Sequence, residues 1–136
     1  MRRDQKYTAF LDLHHGETAF VMPNPWDAGS ARVLAAEGFA ALATTSAGAA
    51  VTQGLRDGAA SMTRSAILSN AADIVAATDL PVSADLEDGF GLASKTCAKT
   101  IAKAAEVGLV GGSIEDATGG EEGGIMDMGG AVERIA

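Results

Sequence analysis

Asn24, Ser46, Asp85, Glu87 and Glu115 each close a short apolar run, at its C-terminal end or just beyond it. In parallel α/β architectures that edge is where ligands bind. Buried parallel strands otherwise read as unbroken apolar runs, so acids recurring at one edge need a chemical reason. Carboxylates converging there without Lys or Arg would repel one another, and a divalent cation removes the conflict. An all-oxygen set suits Mg2+ or Mn2+ and not Zn2+. Asp85 and Glu87 stand two apart, so on a strand they share a face and can address one ion. Asp57, in the loop after the second strand, is placed to hold a metal-bound water. Ser46-Ala47-Gly48 offers a hydroxyl and consecutive backbone N–H groups, a turn able to grip a carboxylate or phosphate.

These residues need strands that end together and helices that bring the chain back. Residues 19–22 read as a first strand stopped by Pro23-Asn24-Pro25. Asp27 caps a helix from Ala28, with Val33 and Leu34 as its buried stripe and Gly38 as its stop. Residues 40–45 read as a second strand and 49–62 as a loop. Thr63 caps the next helix, with Ile67, Ala71, Ile74 and Val75 on one face. Residues 82–86 form a third strand. Ser94 caps a helix whose inner face is Cys97, Ile101, Ala104 and Ala105, while Lys95, Lys99 and Lys103 face solvent. Cys97 there is a small packed hydrophobe, and Gly108 stops the helix. Residues 109–114 form a fourth strand. The Gly-rich, acidic stretch 117–130 reads as a mobile loop, and 131–136 as the first turns of a fourth helix. The order βαβαβαβ implies right-handed crossovers in a parallel sheet. Both an open doubly wound sheet and half of a (β/α)8 barrel fit. A full barrel needs roughly 200–250 residues, so this chain can supply about half.

The net charge of −8 leaves no basic stripe to neutralise phosphates, which argues against nucleic acid as a partner. It also disfavours anionic lipid, and no apolar run is long enough to span a bilayer. The one cysteine rules out an intrachain disulfide. The first ten residues are charged and lack a secretory apolar core, so a cytoplasmic location is expected. His14 and His15 precede the first strand and read as surface or packing residues.

The stretches NPWDAGSARVLAAEGFAALATTSAG, LPVSADLEDGFG and AAEVGLVGGSIEDATG resemble, in order and spacing, the first half of the isocitrate lyase / phosphoenolpyruvate mutase family. The likeness runs from about Phe20 to Ala136. It implies a (β/α)8 TIM barrel, here about its first four βα units, as one partial domain over residues 1–136 cut within its fourth helix. It implies a Mg2+-dependent enzyme, Mn2+ being an alternative, acting on small 2-oxo or 2-hydroxy acids through a metal-stabilised enolate. Lyase chemistry comes first, with mutase or hydrolase as alternatives. By position, Asp85 is the principal metal ligand. Glu87, Glu115 and Asp57 hold the ion directly or through waters, with Asp57 and Glu115 as the candidate catalytic acids. Ser46 and the N–H groups of Ala47 and Gly48 would hold a substrate carboxylate, and Asn24 the pocket floor. The resemblance also implies a homo-oligomer in the full-length form.

Two departures stand out. Glu87 lies where several family members have Asp. The lyases place Lys-x-Cys-Gly-His, and the mutases a Lys, after the fourth strand, whereas residues 117–130 here read ATGGEEGGIMDMGG. An alternative expectation is therefore a catalytically silent fragment or a metal- and oxyacid-binding module that lacks the second half of the barrel.

Overall fold

A computed structural model of the chain describes residues 1–57, 62–117 and 124–136. Its elements run α1 (Arg3–His14), α2 (Ala28–Ala36), β1 (Leu42–Ala43), α3 (Ser46–Thr52), α4 (Arg64–Ala77), β2 (Val82–Asp85), α5 (Ser94–Glu106), β3 (Gly111–Ser113) and α6 (Met128–Ile135). The three strands form one parallel sheet in chain order, with Leu42 opposite Val82 and Asp85 opposite Ser113. Parallel neighbours need a crossover, which α4 and α5 supply.

The strand period of two decides which residues meet the helices. Val82 and Ala84 are buried, while Ser83 and Asp85 between them keep partial exposure. The core gathers Val82, Ala84, Leu42, Ile67, Leu68, Ala71, Ile74, Leu86 and Leu109. Full burial of an Ile or Leu is worth about 1.5–3 kcal/mol, so α4 is anchored mainly by this stripe. Thr63 caps it as its sequence requires, accepting the Ala66 N–H at 3.2 Å. Among the described residues, no helix is long and apolar enough to cross a membrane.

Several expectations are corrected. Residues 19–22 join no ladder. Pro23 and Pro25 lack the N–H that pairing needs. The segment is instead tied to β1 by the Ala43 N–H donating to the Pro23 carbonyl at 3.0 Å, and by the Asn24 side-chain amide. Among the described residues the sheet thus has three strands, not four. The sequence gives no expectation of α1, whose apolar stripe is thin. This helix is held from outside: Lys6 Nζ donates to the Thr78 carbonyl at 2.8 Å, and Phe10 packs against Gly111. In α2 the buried stripe is Ala31 with Leu34, and Val33 is exposed. In α5 it is Cys97, Thr100 and Ala104, and Ile101 is exposed. Ala93, not Ser94, stands at that helix's N-cap, without a side-chain cap bond. The last helix starts at Met128 with Asp127 as cap, three residues earlier than expected. Of the expected loop 117–130, residues 118–123 lie outside the described residues. Ala117 bridges Ile125 beside that stretch.

Candidate metal and oxyacid site

Asp85 ends β2 and is fixed from three sides. Its backbone N–H donates at 3.1 Å to Oγ1 of Thr44, a buried threonine just after β1. Its Oδ2 accepts the Ser46 backbone N–H at 3.0 Å and the Ser46 hydroxyl at 2.6 Å. Its Oδ1 accepts the Glu87 N–H at 3.0 Å. Strand alternation therefore does not bring Asp85 and Glu87 together, as their spacing suggested. The strand stops at Asp85, Glu87 turns into the left-handed region at φ 49°, and an Asx-type turn joins the two.

Glu115 follows β3 and donates its N–H to the Glu87 carbonyl at 2.8 Å, so the two acids sit on adjoining main chain. Glu87 is half-buried, and its pKa is pushed up to about 7. Burial is the first cause, and the carboxylates of Asp85, Asp88, Asp57 and Glu115 add to it. The pKa of Glu115 is also raised, first by partial desolvation and then by Asp85, Asp57, Asp116 and Asp88. Asp57, distant in sequence, lies near enough for its charge to add to the rise at both Glu87 and Glu115.

A cavity of about 460 Å3 is lined by Phe10, His14, Asn24, Thr44, Ser83, Asp85 and Ser113 among others; of the expected site residues Asn24 and Asp85 line it, while Ser46, Ala47, Gly48, Asp57, Glu87 and Glu115 do not. A larger hollow of about 600 Å3 lies between α4 and α5, away from the acids. Converging polar groups, not volume, mark a site, and the smaller cavity is the one that reaches Asp85. Asn24 commits its amide to the Ala43 and Thr44 carbonyls at 3.2 and 3.4 Å. Ser46 opens α3. The Gly48 N–H is taken by the cap Thr45, at 3.1 Å from its Oγ1. Gly48 cannot carry a side chain, because a Cβ there would lie 2.8 Å from that of Trp26.

The family profile described as phosphoenolpyruvate phosphomutase matches residues 10–136. The chain belongs to this family. It is 39% identical over 110 residues to an uncharacterised Mycobacterium tuberculosis protein, covering 81% of this chain and 41% of that one. A Burkholderia cenocepacia protein, provisionally assigned as a lyase/mutase, superposes with TM-score 0.92 at 55% identity, over 98% of this chain and 47% of that one. A 2,3-dimethylmalate lyase, described as a member of the PEP mutase/isocitrate lyase superfamily, superposes with TM-score 0.81 at 29% identity, over 98% and 46%. The chain thus spans less than half the length of these relatives.

Within this family member the donor set can be tested for a cation. The groups at the edge are carboxylates, and their negative charges raise the pKa of Glu87 and Glu115 instead of relieving them. A hard divalent ion is the group that would relieve it. Among the described residues no three His, Cys, Asp or Glu side chains are grouped so as to hold a metal ion between them. Mg2+ keeps several waters and binds one or two carboxylates, so the arrangement fits that ion. Sequence reading missed Thr44, Asp88 and Asp116 at this edge. The doublets Thr44-Thr45, Glu87-Asp88 and Glu115-Asp116, each at a strand end, were the available signal.

Proposed function

We propose that this chain forms the first part of a (β/α)8 barrel whose acidic edge binds Mg2+ and a small 2-oxo or 2-hydroxy acid. The reaction class is lyase, with mutase or hydrolase chemistry as the alternatives. The observation that supports this reading is the joining of Asp85, Glu87 and Glu115 just beyond β2 and β3, through the Glu87 N–H to Asp85 Oδ1 at 3.0 Å and the Glu115 N–H to the Glu87 carbonyl at 2.8 Å. Asp85 would hold the ion, with Glu87, Glu115 and Asp57 directly or through waters, and Mn2+ would substitute. When bound, the ion supplies Lewis acidity to a substrate oxygen.

The remaining work falls to the chain. Ser46 and the Glu87 N–H fix both oxygens of Asp85, and such outer partners orient a ligand. Ala47, at the start of α3, would offer its N–H to a substrate carboxylate, both Ser46 donors being given to Asp85, and Asn24 lines the cavity. Asp57 and Glu115 are the candidate proton-handling groups. The raised pKa of Glu115 keeps it protonated to higher pH than an ordinary carboxyl, which suits a proton donor. The similarity to a 2,3-dimethylmalate lyase favours a branched malate-type acid as substrate class.

A binding-only reading is favoured by one observation, the absence of Lys, Cys and His from residues 117–130. The test is a panel of oxaloacetate, 2,3-dimethylmalate and phosphonopyruvate offered to the full-length protein, with Mg2+ and with chelator. Turnover of one acid, lost with chelator and in Asp85→Ala, is expected. Turnover undiminished in Asp85→Ala would overturn the site assignment, and turnover of none would leave the binding-only reading in its place.

A further inference from the structure

Arg134 is buried in α6, 8% exposed, and among the described residues it makes no ion pair. A buried guanidinium is unfavourable unless its donors find partners. Those partners are main-chain carbonyls on both sides of the acidic edge. Nη1 donates to the Glu115 carbonyl at 3.3 Å and Nη2 to the Gly91 carbonyl at 3.3 Å. The same nitrogens meet Met126 Sδ at 2.8 Å and Cys97 Sγ at 3.1 Å. Nε has no partner among the described residues. Packing alone would be served better by an apolar side chain. A planar fork that spans two carbonyls is what guanidinium offers and an ammonium does not.

The two carbonyls belong to the segments that carry the acids. Gly91 closes the turn bearing Glu87 and Asp88, and Glu115 carries its own carboxylate. That turn is conformationally demanding. Glu87 at φ 49° and Phe90 at φ 62° are both left-handed without being glycine, and such residues persist only where their surroundings hold them. Thr100 holds the turn from α5, donating to the Gly89 carbonyl at 2.8 Å.

We propose that Arg134 is a positioning residue for the acidic edge. It bridges the chain at Gly91 to the chain at Glu115 and so fixes the separation of Glu87 from Glu115. The consequence for metal binding rests on the Mg2+ reading above, whereas the bridge itself does not.

The experiment uses the full-length protein with Arg134→Lys and Arg134→Met. Amide hydrogen exchange is followed at Glu115, whose N–H bonds the Glu87 carbonyl, and at Ala71 and Ile74 in the core. Mn2+ affinity is read by electron paramagnetic resonance. Exchange at Glu115 is expected to quicken at least about tenfold in Arg134→Lys with Ala71 and Ile74 unchanged, and Mn2+ affinity to fall by about tenfold, the lower end for outer-shell partners. If Arg134→Met loses its fold, Arg134→Lys carries the decision. Glu115 exchange at the wild-type rate in Arg134→Lys overturns the proposal. So does an equal quickening at Ala71 and Ile74, which would mean a loss of global stability only. Wild type that takes up no Mn2+, with the Glu115 effect present, sustains the bridge and removes the metal reading.

Discussion

Glu87→Gln should stabilise the metal-free protein, and only at high pH. Raising a carboxyl from 4.5 to about 7 corresponds to roughly 3 kcal/mol, at about 1.4 kcal/mol per pKa unit. Glu87 is partly solvated, and screening reduces this to about 1–2 kcal/mol. The sign follows from proton linkage. With its folded pKa above the unfolded value, the native state holds more protons than the unfolded chain between about pH 4.5 and 7. Stability therefore falls as pH rises through that window, and the full cost is present above it. Gln carries no charge and keeps the side-chain length. Urea unfolding in chelator at pH 4, 6 and 8 reads the difference. Wild type and variant should match near pH 4, and the variant should lead by about 1–2 kcal/mol at pH 8. Equal stability at pH 8, or a less stable variant there, would refute the view that crowded, desolvated negative charge dominates this edge.

Other outcomes follow from the same geometry. Ser46→Ala removes the 2.6 Å bond to Asp85, and calorimetric titration should show Mg2+ affinity down by about tenfold with the fold retained. Gly89→Ala places a Cβ 2.8 Å from Cys97 Sγ at φ 77°, which should cost about 2 kcal/mol or more in chemical denaturation. Thr63→Ala removes the cap of α4 and should cost about 1 kcal/mol in the same assay, without changing metal affinity. Mg2+ binding itself should weaken as pH falls below about 7, where Glu87 takes up its proton; titrations between pH 5.5 and 8 check this, and a flat profile would speak against Glu87 near the ion.

Much of this was legible because strand ends and caps write themselves into sequence. Asp27, Thr63 and the apolar stripe of α4 obey local rules, and the sheet order follows from alternating strand and helix patterns. The residues that escaped depend on distant partners. Val33 and Ile101 match an apolar face by type, yet the tertiary surface takes Ala31 and Thr100 instead. α3 was hidden because Thr45-Ser46-Ala47-Gly48 reads equally well as a turn, and only Thr45 capping distinguishes the two. Asp57 lies in a loop whose path no local signal gives, so the sequence marks it by residue type and by its place after the second strand and not by geometry. Arg134 gave no signal at all, since an arginine on a terminal helix reads as solvent-facing.

The most direct test of the acidic edge is calorimetric titration of oxalate, the smallest mimic of a 2-oxo acid, into the full-length protein with and without Mg2+, for wild type and Asp85→Ala. Binding that requires Mg2+ in wild type and vanishes in Asp85→Ala is the predicted result. Oxalate binding that is indifferent to Mg2+, or that survives in Asp85→Ala, would contradict it.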